Sequence, residues 1–144
     1  MELKTILLIE DNQDDIALTL RAFKKNELKN EIIVLNDGEM AINYINCAGE
    51  FANRDAEKKH SLILLDLKLP KIDGIEILKS IRSNSQMKFI PVVVLTSSLE
   101  EKDIERGYSN GANSYIRKPI DFNKFQEVVQ SLTNYWLMLN EIPK

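Results

Sequence analysis

The nonapeptide Leu62-Ile63-Leu64-Leu65-Asp66-Leu67-Lys68-Leu69-Pro70 constrains the chain more than any other stretch. Four apolar residues run without interruption into a single carboxylate. A short apolar run without alternation is the pattern of a strand covered on both faces, as in a parallel sheet flanked by helices. A carboxylate within such a strand would carry a large desolvation cost. Asp66 therefore belongs at the carboxyl end of the strand, facing the crevice where open α/β sheets bind ligands. Pro70 then blocks regular pairing, and Lys71-Ile72-Asp73-Gly74 has turn chemistry. Taken alone, the stretch also fits an aspartate that merely caps a turn or helix after a strand.

The rest of the chain repeats the alternation of strand and helix. Lys4-Thr5-Ile6-Leu7-Leu8-Ile9 is a second unbroken apolar strand, and it ends in the adjacent acids Glu10-Asp11. Asp14 or Asp15 is placed to start a helix, whose apolar face is Ile16, Leu20 and Phe23 with Ala17 beside them. Residues 31–36 form strand two, and residues 38–48 a short helix that includes Cys47. Residues 49–60 read as a polar loop with at most one helical turn, ending in a solvated or strand-edge His60. Asp73-Gly74 opens a third helix with Ile75, Leu78 and Ile81 inward. Residues 91–96 form strand four, ending in Thr96. Ser98-Leu99-Glu100-Glu101 is a capping-box pattern for a fourth helix over 99–108, whose sparse apolar face suits a weakly anchored element. Residues 113–116 form strand five, followed by Lys118-Pro119. A last helix over 122–140 carries a broad apolar stripe from Phe122 to Leu139.

Five strands alternating with five helices, joined by right-handed crossovers, give an α/β fold, a doubly wound five-stranded parallel sheet with helices on both faces. Of the doubly wound orders, we choose the flavodoxin-like 2-1-3-4-5. Composition agrees and excludes several functions. The 144 residues suit one domain, 44% hydrophobic and 28% charged. A net charge of −3 favours neither nucleic acid nor an anionic membrane. No apolar run approaches the ~18 residues of a membrane span, and the first twenty residues lack a signal-peptide pattern, so a cytoplasmic protein is expected. The lone Cys47 rules out an internal disulfide and a cysteine-cluster metal site, and is read as a small core residue.

The topology brings Glu10, Asp11 and Asp66 into one pocket, bordered by Thr96 and Lys118. Clustered carboxylates repel one another, and a hard divalent cation such as Mg²⁺ (or Mn²⁺) resolves the repulsion through oxygen ligands. A lysine opposite can pair with a carboxylate or a phosphoryl oxygen, and a threonine hydroxyl can donate to another oxygen. The set suits in-line attack of a carboxylate on phosphorus.

Glu10-Asp11, Asp66, Thr96, Tyr115 and Lys118-Pro119, in this order and at these strand ends, resemble the CheY-like receiver domain of two-component response regulators. Residues 9–15, the long loop before strand three and Asn134-Tyr135-Trp136 more narrowly resemble the stand-alone regulators paired with bacterial and cyanobacterial phytochrome histidine kinases. The resemblance implies that Asp66 accepts a phosphoryl group from a kinase phosphohistidine. It implies that Glu10 and Asp11 hold Mg²⁺ with the backbone carbonyl of Lys68, Glu10 standing where aspartate is commoner. Lys118 would contact the acyl phosphate, aimed by a cis Lys118-Pro119 bond. Thr96 and Tyr115 would switch inward, changing the surface of the fourth helix, fifth strand and fifth helix.

Residues 1–144 are thus expected to be a single receiver domain with no effector domain, and not a turnover enzyme. Output then requires a surface: a homodimer or partner face that includes Phe122, Tyr135 and Trp136. Other readings remain open. A relay intermediate or phosphate sink would use the same site. A flavodoxin-like flavin binder needs a phosphate-cradling loop after strand one, where this chain is acidic. A phosphohydrolase with an aspartate nucleophile usually has a second aspartate two residues on, where this chain has Lys68. A non-phosphorylated module would keep only the fold.

Overall fold

The computed structural model describes residues 4–98, 100–118 and 121–143. Five parallel strands, β1 (Thr5–Ile9), β2 (Ile32–Leu35), β3 (His60–Leu65), β4 (Val92–Thr96) and β5 (Ser114–Arg117), form one sheet in the order β2-β1-β3-β4-β5. Register pairs Ile9 with both Leu35 and Leu65, and Leu65 with Val94, so β1, β3 and β4 end side by side. The five helices are α1 (Gln13–Lys25), α2 (Gly38–Ile45), α3 (Gly74–Ser83), α4 (Glu101–Ser109) and α5 (Phe122–Leu132).

The unbroken apolar runs do what their pattern requires. Every residue of β1, β3 and β4 is buried, and alternate side chains feed opposite faces of the sheet. Ile6, Leu8, Leu62, Leu64, Val93 and Leu95 meet Phe23 of α1 and Phe125, Val129 and Leu132 of α5. Leu7, Ile9, Ile63, Leu65, Val92 and Val94 meet Tyr44 of α2 and Ile75, Leu78 and Ile81 of α3. Each such side chain contributes about 1.5–3 kcal/mol on burial. The edge strands β2 and β5 are only half-buried.

Helix starts are set by side-chain caps. Asn12, Asp37, Asp73 and Asp121 accept hydrogen bonds from backbone N–H groups of α1, α2, α3 and α5. Asn12, not Asp14 or Asp15, therefore starts α1, because its side-chain Oδ1 accepts from the Asp15 N–H at 3.0 Å. The buried face of α1 includes Thr19 and Ala22, while Ala17 faces solvent. Gly74 lets α3 approach the loop after β3: a Cβ there would lie 2.6 Å from the Asp66 carbonyl oxygen and from the Leu67 Cα.

Four local expectations are corrected. The helix α4 begins at Glu101 with no side-chain cap, because the Ser98 hydroxyl donates to Asp103 rather than serving in a capping box. Cys47 lies beyond α2, half-buried at φ +52°, where the chain turns out of the helix instead of continuing to Ala48. The following loop holds the one helical turn expected of it, a 3₁₀ turn at Gly49–Phe51. His60 is buried, 5% exposed, with Nε2 2.7 Å from the Tyr44 hydroxyl. Finally, α5 gives way after Leu132 to a π-helical segment, Thr133–Leu139, which closes with the Asn140 N–H on the Tyr135 carbonyl. The wider π turn redirects the apolar stripe: Trp136 and Leu137 pack on the core, while Tyr135, Met138 and Leu139 face solvent. Among the described residues, no helix is long and apolar enough to cross a membrane.

Candidate functional site

Two strand ends deliver the three acids, Glu10 and Asp11 after β1 and Asp66 after β3. Asp66 follows β3 directly, and its N–H is held by the Ile9 carbonyl at 3.0 Å. Glu10 follows β1, anchored through its N–H to the Leu35 carbonyl. Both are nearly buried, at 6% and 4% exposure, and Asp11 is half-buried beside them. One carboxylate oxygen from each of Glu10, Asp11 and Asp66 lies within 4.8 Å of the others. The loop after β3 also turns the Lys68 N–H onto Asp66 Oδ1 at 3.0 Å.

Lys118 reaches this group from just beyond β5. Its backbone N–H is fixed by the Thr96 carbonyl at 2.9 Å. Its ammonium contacts Glu10 Oε1, Asp66 Oδ2 at 2.8 Å and Asp15 Oδ2 at 2.7 Å. Burial alone would lower the Lys118 pKa, but the bonds to Asp15, Asp66 and Glu10 outweigh it and hold the ammonium above the usual lysine range. Burial pushes Glu10 up to about 7, against the lowering effect of Lys118.

Thr96 is fully buried at the end of β4, and its hydroxyl oxygen lies 3.5 Å from the Ser98 N–H. Tyr115, half-buried on β5, donates its hydroxyl to the Ser98 carbonyl at 3.0 Å. The expected cis bond at Lys118-Pro119 lies outside the described residues. Of the expected interface residues, Phe122 is half-buried under the Arg21 guanidinium, 4.1 Å from its ring centre, and Trp136 is half-buried against the core. Tyr135 is 51% exposed.

Two participants escaped the sequence reading. Asp15 was read only as a possible helix start, yet it shares Lys118. No local signal separates it from an ordinary acid in the first turn of a helix. Asp103 of α4 is 3% exposed and paired with Lys68 at 3.1 Å. The signal there was Gly107, one turn on: a glycine marks the face of α4 that lies against Tyr115, and Asp103 shares that face.

The donor set fits a hard divalent cation. Glu10, Asp15 and Asp66 share the Lys118 ammonium and Asp11 joins Glu10 and Asp66 in the acid cluster, so negative charge is in excess. The three converging oxygens are of the type that Mg²⁺ or Mn²⁺ takes. The acidic loop after β1 disfavours a flavin phosphate, and Lys68, engaged with Asp103, supplies no second acid for a phosphohydrolase.

The chain matches known proteins along almost its whole length. The response regulator receiver domain family matches residues 6–130. FilR2 of Methanothrix harundinacea, a probable methanogenesis regulatory protein, is 40% identical over 96% of this chain and 86% of its own. The response regulator Rcp1 of Synechocystis is 38% identical over 97% of this chain and 93% of its own, and its Mn²⁺-bound crystal structure superposes with a TM-score of 0.87. The phosphorylated cyanobacterial phytochrome response regulator RcpA is 38% identical, with a TM-score of 0.90 over 99% of this chain and all of RcpA. With an acid cluster and a lysine at the ends of a 2-1-3-4-5 sheet, and a family match that spans them, this chain belongs to the response regulator receiver domain family.

Proposed function

We propose that this receiver accepts a phosphoryl group on Asp66 from the phosphohistidine of a sensor histidine kinase in a Mg²⁺-dependent reaction. The supporting observation is the convergence of the Glu10, Asp11 and Asp66 carboxylates, two of which, Glu10 and Asp66, pair with the Lys118 ammonium. An Asp66 carboxylate oxygen attacks phosphorus, the P–N bond breaks, and the imidazole leaves with its electron pair. Glu10 and Asp11 hold the metal, with the Lys68 carbonyl as a further ligand. The bound ion would offset charge on the transferring group. Lys118 pairs with the phosphoryl oxygens after leaving the Asp66 carboxylate. Thr96 donates its hydroxyl to a phosphoryl oxygen, and Tyr115 reports the change to the surface of α4, β5 and α5. The chain is modified once and then slowly loses its own phosphoryl group, which is not substrate turnover.

The kinase is a phytochrome in this reading, supported by the likeness to RcpA and Rcp1. The pairing is cytoplasmic and involves neither nucleic acid nor membrane. The likeness to FilR2 favours a second reading, in which the same receiver serves a kinase unrelated to light. The phosphorylated chain forms a homodimer through α4, β5 and α5.

The test is incubation with acetyl phosphate and Mg²⁺ followed by intact mass. One phosphoryl adduct is expected, absent without the metal and absent in Asp66→Asn. An unmodified parent protein would overturn the assignment.

A further inference from the structure

A second charged group lies beside the acceptor site and belongs to no part of the acid cluster. Asp103 projects from the first turn of α4 and is 3% exposed. Its Oδ2 accepts from the Ser98 hydroxyl at 2.6 Å and from the Lys68 ammonium at 3.1 Å. Its Oδ1 lies 3.8 Å from Arg106, whose other nitrogen lies 3.2 Å from Asp73, the cap of α3. These partners hold the Asp103 carboxyl below the usual carboxylate range, with the Ser98 hydroxyl the largest influence.

Each partner leads back to the site. Lys68 is two residues from Asp66, and its N–H already bonds the Asp66 carboxylate. Ser98 is two residues from Thr96, and its carbonyl holds the Tyr115 hydroxyl. The helix α4 has little else to fix it: its buried residues are Asp103 and Gly107, and no side chain caps its start. A buried carboxylate therefore does for α4 what apolar packing does for α3.

We propose that Asp103 is a positioning residue, a latch that ties α4 to the unphosphorylated acceptor loop through Lys68 and Ser98. This inference rests on Asp66 being the phosphoryl acceptor. A phosphoryl group on Asp66 adds roughly −1.5 to −2 charge next to Lys68. The Lys68 side chain is 58% exposed and free to rotate about a flexible stem. Its ammonium turns to the phosphoryl oxygens, and Ser98 follows the inward movement of Thr96. Asp103 is then a buried anion short of partners, which is costly, and α4 moves to return it to solvent. The latch thus converts charge at Asp66 into release of one helix.

The experiment is amide hydrogen exchange over residues 101–109 of the full chain, with Mg²⁺ and with or without beryllium fluoride as phosphoryl mimic. In the parent, the mimic is expected to speed exchange about fivefold, the lower end of ordinary coupling between two sites. In Asp103→Asn, which keeps the shape and a bond to Ser98, exchange is expected to be fast without the mimic and unchanged by it. Lys68→Met should behave in the same way, whereas Lys68→Arg should restore the response to the mimic. A purely structural role would instead speed exchange by the same factor in both states and leave the mimic's effect intact. That result, or a parent whose α4 ignores the mimic, overturns the latch while phosphorylation of Asp66 stands. Absence of any Asp66 adduct in the parent overturns the receiver assignment, and the latch with it.

Discussion

Glu10 is the acid most altered by its surroundings. Burial raises its pKa from the ordinary carboxylate value to about 7. Below that pH the folded protein holds Glu10 protonated, and a cation that needs the carboxylate must displace the proton. Mg²⁺ affinity is therefore expected to be constant above about pH 7 and to fall by roughly tenfold per pH unit below it, within the range set by this one group. Calorimetric titration at pH 6 and pH 8 measures this, and Glu10→Gln should flatten the dependence. Equal affinity in the parent at both pH values would mean that Glu10 is ionised throughout or is not a ligand.

At the scale of elements, the sheet and its flanking helices differ in what holds them. The helices α1, α3 and α5 pack stripes of Ile, Leu and Phe on the strands, whereas α4 is held by a carboxylate and a glycine. The segment after α5 differs again. Its π turns half-bury Trp136 and Leu137 against the core but leave Tyr135, Met138 and Leu139 at 51%, 74% and 71% exposure. Large apolar side chains clustered at one end of an element are the features expected at a contact between proteins. A substitution at Trp136 would disturb the core as well as any contact, so Met138→Glu is the cleaner probe. It is expected to leave the melting temperature within about 2 °C, since surface changes are worth less than about 0.5 kcal/mol. It should also shift the phosphorylated protein toward monomer in sedimentation at increasing concentration. A variant that sediments like the parent would remove this face from the proposed homodimer.

For the whole molecule, two buried titratable groups at opposite ends of the sheet act on stability with opposite sign. His60, at the amino end of β3, has its pKa lowered from 6.5 to about 4, chiefly by burial, with Arg54 and Lys58 adding to the effect. The unfolded chain then binds the extra proton between about pH 4 and 6.5, so stability rises with pH across that window and is complete above it. The full effect is at most about 3 kcal/mol. Glu10 works the other way. With its folded pKa raised above the unfolded 4.5 to about 7, its contribution is complete below pH 4.5 and is lost as pH rises through 7. In EDTA the two slopes oppose each other between pH 5 and 6.5. With saturating Mg²⁺, Glu10 stays ionised and the His60 slope should emerge as a urea midpoint that rises from pH 5 to pH 7. His60→Gln should lose that rise. A parent midpoint that does not change over this range in Mg²⁺ would show that His60 takes up its proton alike in the folded and unfolded chain.

The central strands and the acid cluster were legible in the chain because continuous apolar runs admit one burial pattern, and because the runs of β1 and β3 end on the acids that need the crevice. The strand order followed from the choice of a flavodoxin-like topology. Helix α3 was equally legible, since Asp73-Gly74 and the Ile75, Leu78 and Ile81 spacing act locally. The burial of His60 was not legible, because it depends on Tyr44, sixteen residues away, offering a hydroxyl. Nor was the π turn after Leu132, since the same apolar residues fit a straight α-helix until the core decides which of them it can accept. Asp15 and Asp103 were hidden for a related reason. A carboxylate in the first turn of a helix looks like an ordinary helix-start acid, and only the packing of distant elements brings Lys118 to Asp15 and Lys68 to Asp103. Local chemistry set where the chain becomes strand or helix. Which charges meet was decided by tertiary structure, because an ion pair depends on distance in space and the chain encodes that distance only through the fold.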